Sequence, residues 1–211
     1  DNTQAKLPDS MSADDRVRVH MLSNALINYG QGVPFYQMGT DLLRSKSMDR
    51  NSYNSGDWFN LVDFTATDNQ FASGLPLAQD NQTRWTTMAD IINNGNISVT
   101  PQHIANANAV FRDQLAVRYS SPLMRLDTAE QVIDRVAFHN TGSSQISGLI
   151  AMSISDGQCA GNDLDPNYDG LLLMFNSDDA AVTVDVSGFA DLALHPLLAG
   201  GNDDVVKTAT V

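Results

Sequence analysis

The chain has 211 residues, 42% of them hydrophobic, and a formal net charge of −13 with a pI near 4.3. That length and composition are enough to bury a core. The acidic field, with no Lys/Arg cluster set against it, excludes a phosphate backbone as a partner, and no apolar run reaches the roughly 18 residues that suggest a membrane-spanning helix.

The first ten residues, DNTQAKLPDS, lack the basic and apolar regions of a signal peptide, so the sequence as it stands carries no address. Ser12 and Asp14 supply capping oxygens for a helix whose Val17, Met21, Leu22, Ala25, Leu26 and Tyr29 recur at helical spacing, with Gly30 as its stop. The short apolar run Val33 to Met38, bounded by glycines, predicts a buried strand. Helix followed by buried strand points to α/β architecture. From Gly39 to Asn81 the chain is rich in Asn, Asp, Ser and Gly without a sustained period, and so long a connection is read as a functional loop.

Thr100 caps and Pro101 opens a second helix, with Ile104, Ala107, Phe111, Leu115 and Tyr119 on one face. Beyond Thr128 the pattern alternates. Strands are predicted at Val132–Asp134–Val136, Ile146 to Ser155, Leu171 to Phe175 and Val182–Val184–Val186, which together suggest an antiparallel sheet or sandwich after a boundary near Leu126. The final residues, Lys207 to Val211, read as the middle of a strand that something follows, so a piece of a larger α/β protein is expected.

One cysteine, Cys159, excludes an internal disulfide, and four scattered histidines (His20, His103, His139, His195) have neither zinc nor catalytic spacing and are taken as structural or solvated. Asp163, Asp165, Asn167 and Asp169 place oxygen donors at alternate positions, a spacing that could wrap calcium. The glycine is misplaced for an EF-hand and Met174 stands where its twelfth ligand would be Glu, so an acidic hairpin loop is the preferred reading and no metal or other cofactor is assigned.

The segment Gly30-Gln-Gly-Val-Pro-Phe-Tyr-Gln-Met-Gly39, then Leu42-Leu-Arg-Ser-Lys-Ser and Arg50-Asn-Ser-Tyr-Asn-Ser-Gly-Asp-Trp-Phe-Asn60, resembles pullulanase-type α-1,6-glucosidases, the starch-debranching enzymes of the α-amylase superfamily. The likeness continues through Asp80-Asn-Gln-Thr-Arg-Trp85, Val136-Ala-Phe-His-Asn and Asp169-Gly-Leu-Leu-Leu. It implies an α/β plus all-β chain: residues 1–126 as the C-terminal end of a (β/α)8 barrel and 127–211 as an antiparallel β-sandwich, the latter possibly cut short. It also implies hydrolysis of α-1,6 links in pullulan and branched starch by a retaining pair of carboxylates, an α-glucan partner (pullulan, starch or glycogen-type polysaccharide), pairing with the missing N-terminal part of the same enzyme, and a secreted, cell-surface or periplasmic bacterial setting.

In the family a third carboxylate, in a His-Asp-Asn run, is followed by a second Asp and then by a helix carrying Arg-Val-Arg. The distance from Asp1 to Arg16-Val17-Arg18 fits that second Asp, so all three catalytic carboxylates are expected upstream and the chain alone is expected to be inactive. Pairing Asp1 with the His-Asp-Asn run would make it the stabiliser, a reading not adopted because its preceding His is absent.

By the same resemblance Arg44, Asp49, Arg50, Asn51, Tyr53 and Asp57 form the wall of sugar subsites, with Trp85 stacking on a distal glucose beside Asp80 and Asn81. Planar groups that donate and accept in pairs suit sugar hydroxyls, and aromatic faces suit the apolar side of the ring. The plainer reading is an Arg44–Asp57 ion pair folding the loop, Trp58 and Phe59 plugging it and Trp85 half-buried. A glucan-binding or interaction module that works alone is the alternative from another class.

Overall fold

The structure is a computed structural model describing residues 1–157, 160–186, 188–189 and 192–210. Cys159 falls outside these. The chain forms two compact units, one of Asp1–Met21 with Tyr36–Phe111 and the other of Leu22–Phe35 with Arg112–Val211. Each unit therefore takes two stretches of chain, whereas the division expected near Leu126 is a single cut.

The first unit holds helix α1 (Asn2–Lys6), the first part of α2 (Ala13–Asn28), α3 (Asp57–Asn60), α4 (Ala78–Asn81), α5 (Trp85–Ile92) and the first part of α6 (Pro101–Ser120). The cap expected for α2 is present: Asp15 N–H donates to Ser12 Oγ at 3.2 Å, and that hydroxyl donates to the Asp15 carboxylate at 2.7 Å. Thr100 caps α6 in the same reciprocal way, with His103 N–H donating to Thr100 Oγ1 at 3.3 Å and Thr100 N–H to His103 Nδ1 at 3.0 Å. Buried apolar residues of this unit include Met21, Leu42, Phe59, Met88, Ile97 and Ile104. Arg16, only 2% exposed, donates to the carbonyls of Thr3, Gln4, Leu7, Pro8 and Met11 and so gathers the chain before α2.

The second unit contains α7 (Ala129–Arg135), α8 (Pro196–Ala199) and one antiparallel sheet in the order β1 (Val136–Phe138), β2 (Leu149–Ser155), β3 (Gly170–Asn176). Leu123, Met124, Met152 and Ile154 form its buried cluster, flanked by Tyr29, Leu126, Val136 and Leu171. The strand predicted at Leu171 to Phe175 is β3, and the one predicted from Ile146 begins at Leu149.

Four expectations need correction. Val132 and Asp134 lie in α7, not in a strand, because Thr128 caps a helix there by accepting from Gln131 N–H at 3.2 Å, and Val136 opens β1. Val182 to Val186 is not in the sheet, so among the described residues the expected sandwich is a single three-stranded layer. Val33 to Met38 forms neither a strand nor a buried segment: Val33 is 94% and Phe35 90% exposed, since a strand exists only against a partner and none is present there among the described residues. Tyr119 leaves the predicted apolar face of α6 and lies, exposed, under the Arg125 guanidinium, 4.9 Å from its ring centre.

α2 ends at Asn28, just before the Gly30 expected as its stop, and Gly30 is not left-handed there. Buried Arg118 instead donates to the carbonyls of Asn28 and Gly30 at 2.7 Å each and of Gly32 at 2.9 Å. Gln31 completes the turn, donating to Leu123 O at 2.8 Å and accepting from Leu126 N–H at 2.9 Å.

Replacing Arg118 by Met is expected to cost roughly 1–3 kcal/mol, because the buried Asn28 carbonyl loses its donor, while the part-buried Gly30 and Gly32 carbonyls add less. Arg118→Lys is expected to recover only part of this, lacking the planar fork. Urea unfolding of the three proteins checks both. A second test concerns buried Arg135 and Asp156, which form an ion pair. Burial pushes the Asp156 carboxyl up, but the N–H groups of Gly157, Asp165 and Leu164 together with Arg135 outweigh it and hold the group below its usual range. Its stabilising contribution is thus complete above the ordinary carboxylate value of about 3.9 and is lost as pH falls through the depressed one. Arg135→Met should destabilise by about 3–5 kcal/mol at neutral pH and by less in acid, read from urea midpoints across the acid range.

Candidate functional site

The long loop of the first unit is ordered by its own side chains. Its non-glycine residues Leu43, Ser47, Met48, Ala66, Gln70 and Ala72 all have positive φ. Such backbone is costly outside glycine and persists where surrounding contacts over-determine it. Here those contacts are hydrogen bonds.

Ser45 N–H donates to Asn69 O at 2.7 Å, Asn69 Nδ2 to Leu43 O at 3.0 Å and Ser47 Oγ to Gly74 O at 2.6 Å, tying the segment around 43–47 to that around 69–74. Asp63 accepts from the backbone N–H groups of Thr65, Thr67 and Asp68 and from both threonine hydroxyls. The hydroxyls of Thr65 and Thr67 hold its carboxyl well below the usual range. Gly39 is required by the fold: its φ is +85° and a Cβ there would sit 2.8 Å from Arg44 Cβ.

Lys46 Nζ donates to Ser52 Oγ at 2.7 Å and to Asn60 Oδ1 at 3.0 Å, while Asn60 Nδ2 donates to Ser52 O at 2.9 Å. Burial lowers the Lys46 pKa, the Arg44 charge adds to this and Asp49 opposes it. Asp49 accepts from Asn51 N–H at 3.0 Å, Asn81 Nδ2 at 2.9 Å and Ser55 Oγ at 2.5 Å. Burial pushes its carboxyl up, but Ser55, the Asn51 N–H, Asn81 and the Lys46 charge outweigh that and keep it below the ordinary value. Asn81, 1% exposed, is the pin of this network: it also accepts from Arg50 N–H at 3.3 Å and donates to Leu77 O at 3.2 Å.

The residues predicted from sequence as a sugar-binding wall fall into two groups. Arg50, Asn51, Tyr53 and Asp57 are exposed, Tyr53 at 85%. Arg44, Asp49 and Trp85 are half-buried and have internal partners. Arg44 donates to Asn60 O at 3.5 Å, and among the described residues no ion pair joins it to Asp57. Trp85 Nε1 donates to Pro76 O at 2.7 Å, which fixes its ring by a local contact. Trp58 stacks on buried Phe59 with ring centres 3.6 Å apart and keeps 44% of its surface exposed. Asn51 reaches Asp80 at 3.3 Å. Buried Asn81, read from sequence as a contact for sugar hydroxyls, is engaged by the Asp49 carboxylate, Arg50 N–H and Leu77 O. Ser45, Lys46, Asn60 and Asp63 were not singled out, since a polar residue that holds a loop has the same sequence signature as one that faces water.

Asp1 is another such tether. Its carboxylate accepts from Lys46 N–H at 2.7 Å and from the Ser45 hydroxyl.

The acidic loop around Asp163 is organised by Asp156, which accepts from Leu164 N–H at 3.0 Å and Asp165 N–H at 2.7 Å, and by Asp165, which accepts from Asn167 N–H at 2.9 Å. Asp163, Asp165, Asn167 and Asp169 do not converge, and among the described residues no group of three or more His, Cys, Asp or Glu is placed to hold a metal ion. The histidines have structural partners, His20 at Thr40 O (2.8 Å), His103 at Asp14 (2.9 Å), His139 at Ser153 Oγ (2.7 Å) and His195 at Ser120 Oγ (3.0 Å). Among the described residues no helix is long and apolar enough to cross a membrane.

The network predicts that Asn81→Leu, by removing one of the donors that offset burial, moves the Asp49 titration up from its depressed position. Carboxyl-carbon NMR titration measures this directly, and an unmoved Asp49 would refute the role given to Asn81.

Comparison with known proteins adds the family. Residues 66–211 match the family model described as alpha-1,6-glucosidases, pullulanase-type, C-terminal. The chain is 40% identical over 207 residues to pullulanase 1, chloroplastic, of Arabidopsis thaliana, covering 96% of this chain and 22% of that protein. It is 38% identical over 196 residues to the pullulanase of Klebsiella pneumoniae, covering 88% and 18% respectively. The chain thus spans about a fifth of the length of these relatives. Crystal structures of ligand-free and of maltotriose-complexed Klebsiella pneumoniae pullulanase each superpose with a TM-score of 0.87 at 35% identity, over 93% of this chain and 19% of theirs. With the family model covering most of the sequence and its fold shared with these structures, the chain belongs to the pullulanase-type alpha-1,6-glucosidases, to their C-terminal region.

Proposed function

We propose that this chain works as the C-terminal part of a larger debranching hydrolase that cleaves α-1,6 links in pullulan and branched starch with retention, and that its 39–60 loop forms a wall of the sugar subsites. The observation that carries the reading is the cluster of strained, internally bonded backbone in this loop, which presents Arg50, Asn51, Tyr53 and Trp58 to solvent. Strain of this kind concentrates at sites where geometry matters. Arg50 and Asn51 offer donors and an acceptor for paired hydroxyls, and Tyr53 and Trp58 offer faces for the apolar side of a pyranose. Arg44, Asp49 and Trp85 then act by shaping the loop, with Asp57 at its rim.

Retaining hydrolysis needs two carboxyl groups about 5–5.5 Å apart, one of them able to hold a proton near neutral pH. Asp49 is unsuited to that role because its donors favour the ionised form. The family resemblance assigns the reacting carboxylates to the rest of the enzyme and makes the isolated chain inactive in this reading. In this reading residues 1–126 complete a (β/α)8 barrel, 127–211 belong to a β-sandwich, and the exposed Val33 and Phe35 are covered by the missing part. Secretion or display at a bacterial cell surface belongs to the same proposal.

The test uses the parent gene product. Arg50→Ala and Tyr53→Ala are expected to lower kcat/KM for pullulan roughly tenfold or more, since a lost sugar contact is worth about 1–3 kcal/mol, while the 211-residue chain alone releases no reducing ends. Unchanged kcat/KM in both variants would remove the loop from the subsites. Retention of the isolated chain on pullulan, with no activity in any longer product, would favour a stand-alone binding module.

A further inference from the structure

Asn51 is tied to α4 through both its backbone and its side chain. Its N–H donates to Asp49 Oδ1 at 3.0 Å, and the same oxygen accepts from Asn81 Nδ2 at 2.9 Å. Asn81, buried at the end of α4, also accepts from Arg50 N–H at 3.3 Å, so the backbone from Asp49 to Asn51 is held from below. Asp80, the residue before Asn81, accepts from Asn51 Nδ2 at 3.3 Å through Oδ2. Asp80 and Asn51 are both exposed.

The two ends of an asparagine amide have nearly the same shape and opposite hydrogen-bonding character, so an exposed asparagine can turn either end toward a ligand. A carboxylate removes that freedom. It accepts and cannot donate, so it binds the NH2 end and repels the carbonyl end. Among the described residues no group donates to Asn51 Oδ1.

We propose that Asp80 is a positioning residue of the glucan site: it orients the Asn51 amide so that the carbonyl is free to accept a hydrogen bond from a pyranose hydroxyl, while Asp49 and Asn81 hold the backbone beneath it. The inference rests on the reading that places the 39–60 loop at the sugar subsites. Asp80, taken from sequence as a sugar contact, thereby acts through its neighbour. Arg50 is donor-only, so the pair Arg50 and Asn51 supplies donors and one acceptor to hydroxyls that can do both. An amide already held in one orientation loses less freedom when the sugar binds.

The test is a double-mutant cycle in the parent gene product, with KM and kcat measured on pullulan. Asn51→Ala is expected to raise KM about fivefold with kcat unchanged, as for one neutral hydrogen bond lost equally from ground and transition states. Asp80→Ala is expected to raise KM about threefold in the unmodified enzyme and to leave it unchanged in the Asn51→Ala background, because it acts through that amide alone. Asp80→Asn, which can pair with either end of the Asn51 amide, is expected to raise KM as well. The urea midpoint of Asp80→Ala should match that of the unmodified enzyme, since the pair is exposed. Asp80→Ala without effect on KM, or effects that simply add in the double variant, would overturn the role of Asp80 and leave the glucan reading in place. So would an unchanged KM in Asn51→Ala where Arg50→Ala and Tyr53→Ala raise it. An unchanged KM in all three would remove the glucan reading and the inference with it.

Discussion

Three buried arginines hold this chain together by giving partners to backbone that regular structure leaves unpaired. Arg16 collects carbonyls from Thr3 to Met11, Arg118 those of Asn28, Gly30 and Gly32, and Arg135 those of Ser155 and Asn162 together with the Asp156 carboxylate. Irregular backbone inside a protein must find donors for its carbonyls or lose stability. A guanidinium suits this because its five N–H groups lie in one rigid plane and fan out to several acceptors at once. Burial lowers the Arg16 pKa, with the Asp9 charge opposing, and an arginine still remains charged there. Each of these side chains stands where a helix meets the loop leading into or out of it, so the helices hold their places because the loops are tied to them.

The 39–81 loop solves the same problem with smaller groups. Asp63, Asp49, Asn69, Asn81 and Ser47 each bind backbone at short range, and together they support left-handed conformations at residues such as Leu43 and Met48 that would not persist alone. The carboxylates that look most available for chemistry are therefore largely structural. What remains outward includes Arg50, Asn51, Tyr53, Asp57 and Trp58. A chain matching about a fifth of its relatives' length thus carries a loop shaped by its own hydrogen bonds.

The second unit shows the opposite arrangement. Its sheet is short, and among the described residues β1 and β3 are its two edges, each paired with β2 alone. Exposed edges are hazards in a finished protein and are normally covered, charged or bulged.

Local signals were legible in the sequence wherever one residue and its near neighbours settle the matter. Ser12 and Thr100 announced helix starts because a cap is made within three residues, and Leu171 to Phe175 read as a strand because its apolar run is bounded by turn residues. The motif residues from Leu42 to Asn60 pointed to the family by their order alone. Alternation misled at Val132–Asp134–Val136, where the Thr128 cap won, and at Val33 to Met38, where an apolar run had no strand to pair with. Tertiary structure alone decided that Asn81 faces inward, that Asp1 serves Ser45 and Lys46, and that Arg118 ends α2 from 90 residues away. Those outcomes depend on hydrogen-bond partners distant in the chain, and a polar residue in a sequence reads the same whether its partner will be water, a sugar or a buried carbonyl.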